Sequence, residues 1–305
     1  MKKLCIVITS RPHLARQQLL IAELKKHFEL DIFEPKPIKG EMSVSAIMYT
    51  IEFNNYLANK EYDAIIIRGD RYEMLGMTAV SVYKGFPVIH IEGGDLSGVV
   101  DNKVRHAITH LSDYHFCTNE ESHRRLVQMG VPLDRIWNFG SLDVEFADKV
   151  KNKKLSDRPY ILVAYHPIED EDELELEKAL DFFKSDMLDT IDIVKIGSNT
   201  DYGRKYGNEE FTPEDYINMM RNALCCIGNS SSLLKEASVL GVGVVNIGDR
   251  QKNRLKPKNV LDVSCETEQI IKGINFQLNN KYSNDLSYFK KDTSKKITNK
   301  LKEIL

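Results

Sequence analysis

Three groups of residues in this sequence have types and spacings that suit chemistry. The first is Gly228-Asn229-Ser230-Ser231-Ser232, which follows the apolar stretch 225–227 and opens a helical pattern over 232–240. Serines there can cap a helix whose first turn leaves backbone N–H groups free. With the positive end of the helix dipole, they make a site for an anion, most often a phosphate. Glu236 lies four residues from Ser232 on the same helix face, where a carboxylate could accept hydrogen bonds from a ribose. A second apolar run, 244–247, ends in Gly248-Asp249-Arg250 and supplies a guanidinium. One serine would read as an ordinary N-cap. Three serines with Glu236 and Arg250 point to a nucleotide pocket.

The second group consists of acids and bases at the ends of apolar runs: Arg68-Gly69-Asp70-Arg71, His90-Ile91-Glu92-Gly93-Gly94-Asp95, and Tyr165-His166-Pro167. Asp70 and Glu92 fall on strands expected to be adjacent. Two carboxylates there could share a pocket with raised or split pKa values suited to proton transfer. Gly93-Gly94 reads as a place where backbone approaches a ligand closely. Further polar clusters follow other runs: Arg11 to Arg16, Asp101 to His106, and Gly197-Ser198-Asn199. Each alone is as readily a helix cap or surface ion pair; together they favour a site. The third group, His106 and His110 with His115 and His123, raises the question of a metal. There is no HExxH and no evident third ligand, so no metal is expected. A P-loop and a GxSxG elbow are also absent from the sequence.

Elements must position these groups, and the pattern supplies them. Short apolar runs at 4–9, 30–33, 64–68, 88–92, 114–117 and 136–139 alternate with helical patterns at 14–26, 43–59, 73–84, 102–111 and 120–129. The alternation resumes with runs at 160–165, 191–196, 225–227, 244–247 and 260–263, and helices at 171–184, 213–223, 232–240, 266–278 and 294–305. This predicts an α/β protein with parallel, doubly wound sheets, ligands binding at the strand C-termini. The lysine-rich stretch 149–158 reads as an interdomain linker. The expected domains are therefore 1–150 and 151–289, two Rossmann-like halves facing a cleft, with the helix at 290–305 crossing back to the first.

A chain of 305 residues accommodates two such cores. A formal net charge of −3 implies neither a nucleic-acid surface nor an acidic tail, and the lysine runs near the end read as solvated faces. Five cysteines form no CxxC, and Cys225-Cys226 sit inside an apolar run, which suits a reduced compartment. The six-residue apolar stretch before Arg11 is too short for a signal-peptide core, and no run approaches membrane-spanning length. A cytoplasmic enzyme or binding protein is expected, with no membrane partner.

Beyond these features, the segments GDRYEML (69–75), HIEGGDLSG (90–98), RHAITHLSDYHF (105–116), NEESHRRLVQMG (119–130), AYHP (164–167), GNSSSLLKEAS (228–238) and NIGDRQKNR (246–254) closely resemble the UDP-N-acetylglucosamine 2-epimerase family. The match runs in order over roughly two thirds of the chain. Its HIEGGD and RHAIT wording is most similar to the hydrolysing branch, which makes N-acetylmannosamine for sialic acid synthesis. The resemblance implies a GT-B arrangement, no cofactor, and a homodimer. It places Asp70, Glu92, His166 and Asp101 on catalytic positions. Ser230, Ser231, Glu236 and Arg250 fall on nucleotide-binding positions, with Arg11, Arg16, Arg71 and Asn199 also facing substrate. The implied chemistry is elimination of UDP by removal of the C2 proton, then addition of water at C1 with C2 inverted. The chain departs from the pattern at Asn102, where a second acid is usual, at His13, where an acid is common, and in being shorter. A GT-B glycosyltransferase, or a nucleotide-sugar-binding protein without activity, would keep the same donor site.

Overall fold

A computed structural model describes residues 1–38, 40–97, 101–167, 170–186, 190–197, 207 and 209–305. The chain divides into two compact units: Met1–Glu145 with Lys290–Leu305, and Phe146–Phe289. The first contains β1 (Lys3–Val7), α1 (Arg11–Leu24), β2 (Glu29–Phe33), α2 (Met42–Tyr56), β3 (Ala64–Arg68), α3 (Tyr72–Tyr83), β4 (Val88–Ile91), α4 (Asp101–Leu111), β5 (Tyr114–Cys117), α5 (Glu120–Gln128) and β6 (Ile136–Asn138). Helix α6 (Leu142–Lys149) follows. The second unit holds β7 (Tyr160–Ala164), α7 (Asp170–Asp186), β8 (Asp192–Lys195), α8 (Pro213–Asn222), β9 (Cys225–Gly228), α9 (Ser231–Leu240), β10 (Val244–Ile247), β11 (Val260–Val263) and α10 (Thr267–Leu278). The last helix, α11 (Thr293–Ile304), belongs to the first unit.

Both sheets are parallel, in the orders β2-β1-β3-β4-β5-β6 and β11-β10-β9-β7-β8. Parallel strands are covered on both faces, so their runs are continuously apolar, and alternate side chains go to opposite cores. In β1, Leu4 and Ile6 enter one cluster with Leu20, Leu24, Ile297 and Leu301, while Cys5 and Val7 enter another with Phe53, Met74 and Met77. In β7, Ile161 and Val163 pack with α7 and α10, while Tyr160 and Leu162 pack with α8 and α9. The strand order reverses between β1 and β3, and again between β7 and β9. At such points the flanking helices diverge and leave a crevice at the strand C-termini.

The parallel α/β architecture read from the sequence is what the chain forms. Helix α6 escaped that reading. It is only eight residues, mixing acids with apolar residues in too short a run to show a period. It delivers Glu145, whose Oε2 accepts from Ser294 N at 2.9 Å and Ser294 Oγ at 2.5 Å, fixing the start of α11. The stretch 149–158, read as a linker, is tied to α8: Asn218 Oδ1 accepts from Lys153 N at 3.1 Å, and Asn222 Nδ2 donates to Lys153 O at 3.3 Å. Among the described residues no helix is long and apolar enough to cross a membrane.

At the β7–β9 crossing Gly228 has φ +140, and a Cβ there would overlap the Ala164 carbonyl. Gly85, with φ +79, faces open space instead. Gly228→Ala is therefore expected to cost about 3 kcal/mol or more of stability, because backbone on both sides has to move. Gly85→Ala should cost about 1 kcal/mol from backbone strain alone. Urea denaturation followed by circular dichroism checks the difference; equal losses would refute the packing argument.

Candidate active site

In the first unit the site builds outward from β3 and β4, which are direct neighbours with Arg68 registered against Ile91. Arg68 ends β3 and is 2% exposed. Its Nη2 donates to Glu92 Oε1 at 2.9 Å and to Asp143 Oδ1 at 2.5 Å. Arg16 Nε on α1 lies 3.8 Å from the same Asp143 oxygen. Burial works against the Arg68 charge, but Asp143 and Glu92 more than offset it and hold the guanidinium firmly protonated. Glu92 has φ +69, a left-handed backbone that a non-glycine residue rarely adopts. Strain of this kind persists where surrounding structure enforces it, and it concentrates at functional sites. Its N–H donates to Phe116 O at 2.8 Å, which locks the turn.

Asp70 is paired with Arg105 of α4. Arg105 Nη1 also donates to Asp95 O at 2.9 Å and to Asn102 Oδ1 at 3.3 Å, so one buried guanidinium joins β3, the loop after β4 and α4. Asp95, 2% exposed, accepts at Oδ1 from Thr118 Oγ1 at 2.8 Å and Ser122 Oγ at 2.5 Å. His90 is fully buried beneath them. Its Nε2 lies 2.9 Å from Gly69 O, an acceptor only, so Nε2 carries the proton and Nδ1 accepts from Thr109 Oγ1 at 3.2 Å. Burial, partly opposed by the Gly69 carbonyl, lowers the His90 pKa to about 4, and burial lowers that of His115 to about 3.

In the second unit Asn229, just past β9, bridges to the end of β7. Its Oδ1 accepts from His166 N at 2.8 Å and its Nδ2 donates to His166 O at 2.9 Å. Asn229 O accepts from Arg250 Nη1 at 2.9 Å and Gln251 Nε2 at 2.8 Å. Ser230 holds the N-cap position of α9, but its hydroxyl does not cap the helix. It lies 3.0 Å from Ser232 Oγ, which lies 2.6 Å from Tyr216 OH. A chain of hydroxyls thus lines the positive end of α9, an arrangement suited to an anion. Glu236 is 1% exposed within the same helix.

The family profile described as UDP-N-acetylglucosamine 2-epimerase matches residues 3–302. The chain belongs to this family. It is 34% identical over 277 residues to polysialic acid biosynthesis protein P7 of Escherichia coli, covering 79% of this chain and 70% of that one. It is 32% identical to a UDP-N-acetylglucosamine 2-epimerase of Neisseria meningitidis serogroup B, covering 78% and 69%. A hydrolysing UDP-N,N'-diacetylbacillosamine 2-epimerase of Legionella pneumophila is 30% identical, covering 76% and 69%. Among solved structures, a Methanocaldococcus jannaschii UDP-GlcNAc 2-epimerase in complex with UDP-GlcNAc and UDP superimposes with TM-score 0.84. It is 17% identical and 99% of each chain is covered, which speaks to the fold, of GT-B type, alone.

Within the family frame, the structure brings Asp70, Glu92, Arg16 and Arg71 to the strand-end rim of the first unit, with Asp101 opening α4. Arg71 Nε donates to Glu73 Oε1 at 2.6 Å. Arg11 opens α1. His166, Ser230, Ser231, Glu236 and Arg250 gather at the corresponding rim of the second. Asn199 lies outside the described residues. Asp70 and Glu92 each face a guanidinium, Arg105 and Arg68 respectively. Gly93 and Gly94 are both closely packed by the protein. A Cβ on Gly94 would overlap the Ser122 carbonyl, and one on Gly93 would sit 3.0 Å from His90 Nδ1. Sequence reasoning gave no role to Arg68, Asp143 or Tyr216, whose partners lie 24, 75 and 16 positions away. A charged residue closing an otherwise apolar strand was the available signal for Arg68. Among the described residues no group of three His, Cys, Asp or Glu could hold a metal ion.

The two buried histidines set a pH dependence. A histidine whose folded pKa lies below its unfolded value of about 6.5 contributes stability that is complete above that pH and is lost as pH falls towards the folded value. For His90 the window is pH 6.5 to about 4. It is worth on the order of 3 kcal/mol at 1.36 kcal/mol per pKa unit. Stability measured across this window is expected to fall steeply in the parent protein and less steeply in His90→Gln. An unchanged slope in that variant would show that His90 does not titrate with unfolding.

Proposed function

We propose that this protein is a hydrolysing nucleotide-sugar 2-epimerase that converts UDP-N-acetylglucosamine to N-acetylmannosamine and UDP. The observation that carries the reading is the pair Asp70 and Glu92 on adjacent strand ends, with Glu92 forced into a left-handed backbone. Asp70 and Glu92 share removal and return of the C2 proton and activation of water. Asp101, at the first turn of α4, is a third acid. His166 acts on the leaving diphosphate. Ser230, Ser231, Glu236 and Arg250 hold the nucleotide, assisted by Arg11, Arg16, Arg71 and Asn199. The hydrolysing branch and an amino-sugar pathway of the sialic acid kind are supported by the polysialic acid protein and the hydrolysing epimerase among the relatives. The roles need only acids, bases and fixed donors, which general acid–base and electrostatic catalysis supply.

The test is incubation with UDP-N-acetylglucosamine alone in deuterated water. Free N-acetylmannosamine carrying deuterium at C2 is expected, since the abstracted proton exchanges with solvent. Asp70→Asn and Glu92→Gln should each lose roughly 10²–10⁴-fold in turnover with UDP affinity nearly unchanged. Glu236→Ala should weaken calorimetric UDP binding by about 1.5–3 kcal/mol. Turnover that needs an acceptor and leaves C2 unlabelled would assign the protein to the glycosyltransferases instead.

A homodimer is part of this reading. Val44, Ile47, Met48 and Ile51 are 51%, 62%, 48% and 56% exposed on successive turns of α2, an apolar stripe that supports a second copy as its partner. Light scattering should give twice the chain mass, and Ile47→Asp should give the single mass. A parent protein of single mass would remove the dimer from the proposal.

A further inference from the structure

At the switch point of the second sheet a side chain takes over from the strand ladder. Strands β7 and β9 are registered as far as Ala164 against Gly228. Beyond that pair the main chains part. One turns into α9, and the other runs through His166 to Pro167, which has no N–H for a further ladder bond. Asn229 spans the gap: its Oδ1 accepts from His166 N at 2.8 Å and its Nδ2 donates to His166 O at 2.9 Å. These are the acceptor and donor that a neighbouring strand would otherwise supply. The Asn229 main chain is held as well. Its N–H donates to Ala164 O at 3.3 Å, and its O accepts from Arg250 Nη1 at 2.9 Å and Gln251 Nε2 at 2.8 Å. Asn229 is 2% exposed, and its N–H, carbonyl and both ends of its amide are engaged. An apolar residue would fill the same space. A fully satisfied buried amide also fixes where its partners sit.

We propose that Asn229 is a positioning residue that sets the His166 main chain relative to Arg250 and the first turn of α9, and so holds the imidazole at the diphosphate of a bound nucleotide sugar. This rests on the epimerase reading above, in which His166 acts on that diphosphate and Arg250 holds the nucleotide. Strands β7 and β10 flank β9 in the sheet, and Asn229 is the residue that follows β9. It therefore stands between the segment carrying His166 and the segment carrying Arg250, and it bonds to both. His166 precedes a proline, which confines its backbone to extended conformations. With its N–H and carbonyl both gripped by one planar amide, the direction of its Cα–Cβ bond is fixed as well. Substituting the Asn229 side chain removes the His166 half of this link alone, because Arg250 and Gln251 bond to the main-chain oxygen. The seat for the anion also stays, since α9 is anchored by Leu233, Leu234 and Ala237 packed with Leu162, Cys226 and Val244. A small displacement of the imidazole then lowers turnover without lowering nucleotide affinity.

The experiment compares Asn229→Ala and Asn229→Asp with the parent in three readouts. These are kcat and KM with UDP-N-acetylglucosamine, calorimetric affinity for UDP, and the change that saturating UDP causes in the His166 Cε1–H signal by carbon-13 NMR, assigned with His166→Ala. The last needs no turnover. Asn229→Asp keeps the shape and the acceptor for His166 N but has no hydrogen to give His166 O. In Asn229→Ala, kcat should fall on the order of 10²-fold, as for a catalytic group displaced by about 1 Å, with UDP affinity close to the parent's. The His166 signal should respond to UDP in the parent and respond much less in both variants. Should Asn229→Ala not fold, the response in Asn229→Asp decides. A parent-like response in a folded variant would overturn the proposal, and so would kcat and UDP affinity falling together in Asn229→Ala. A parent that binds no UDP, or whose His166 signal ignores it, would defeat the placement of His166 in the epimerase reading and the positioning role with it. A parent that binds and responds but forms no product would defeat only the reaction, and the NMR comparison would still decide the role of Asn229.

Discussion

The first unit is organised by the matching of charges that its strand ends bring out of water. A guanidinium or carboxylate buried at a sheet rim calls for an opposite charge beside it. Arg68 answers Glu92 and Asp143, and Arg105 answers Asp70 while also gripping Asp95 O. These two guanidinia fasten β3, β4, α4 and α6 to one another at their functional ends. The apolar clusters below them fix which elements pack, but the pairing fixes where the carboxylates point. The strained Glu92 turn is tolerable for this reason: the strand pairing beneath and the Arg68 contact above both hold it.

The second unit meets its switch point with amides and hydroxyls, joined by the Arg250 guanidinium. Asn229 closes the β7–β9 crevice through two hydrogen bonds to the His166 backbone, and the first turn of α9 presents hydroxyls and backbone dipole. The contrast fits the proposed roles. Carboxylates belong where a proton leaves carbon, while a diphosphate calls for donors and a positive helix end. Tyr216 and Ser232 extend the donor set by a bond that neither residue could make alone.

The strands were legible because a parallel strand buried on both faces has to be an unbroken apolar run, and 64–68 or 244–247 admits few other readings. The polar rim was legible for the same reason, since polar residues that follow such runs land at strand C-termini. What could not be read was pairing. Nothing near Arg68 announces a partner 75 positions away on a helix of eight residues. The packing at the glycines was hidden for a related reason. Gly94 needs its missing side chain because α5 crosses it, and the sequence around Gly94 holds no trace of that crossing.

Pairing also explains why an amide at position 102 is compatible with the site. Asn102 Oδ1 accepts from Ser97 N at 2.7 Å, and its Nδ2 donates to Ser97 O. The side chain therefore closes the loop after β4 in both directions, as a backbone pair would. A carboxylate can accept from Ser97 N but has no hydrogen to give Ser97 O, and it would set a negative charge against that carbonyl. It would also add an anion beside Arg105, whose guanidinium already answers Asp70 and lies 3.3 Å from Asn102 Oδ1. Competition there would draw Arg105 from Asp70, and the two acids would then be coupled as like charges. With the amide, the loop is held without a charge and the pairing of Asp70 is left intact. The departure at Asn102 thus preserves the electrostatic setting of the remaining acids, with proton transfer left to Asp70, Glu92 and Asp101 in the proposed reaction.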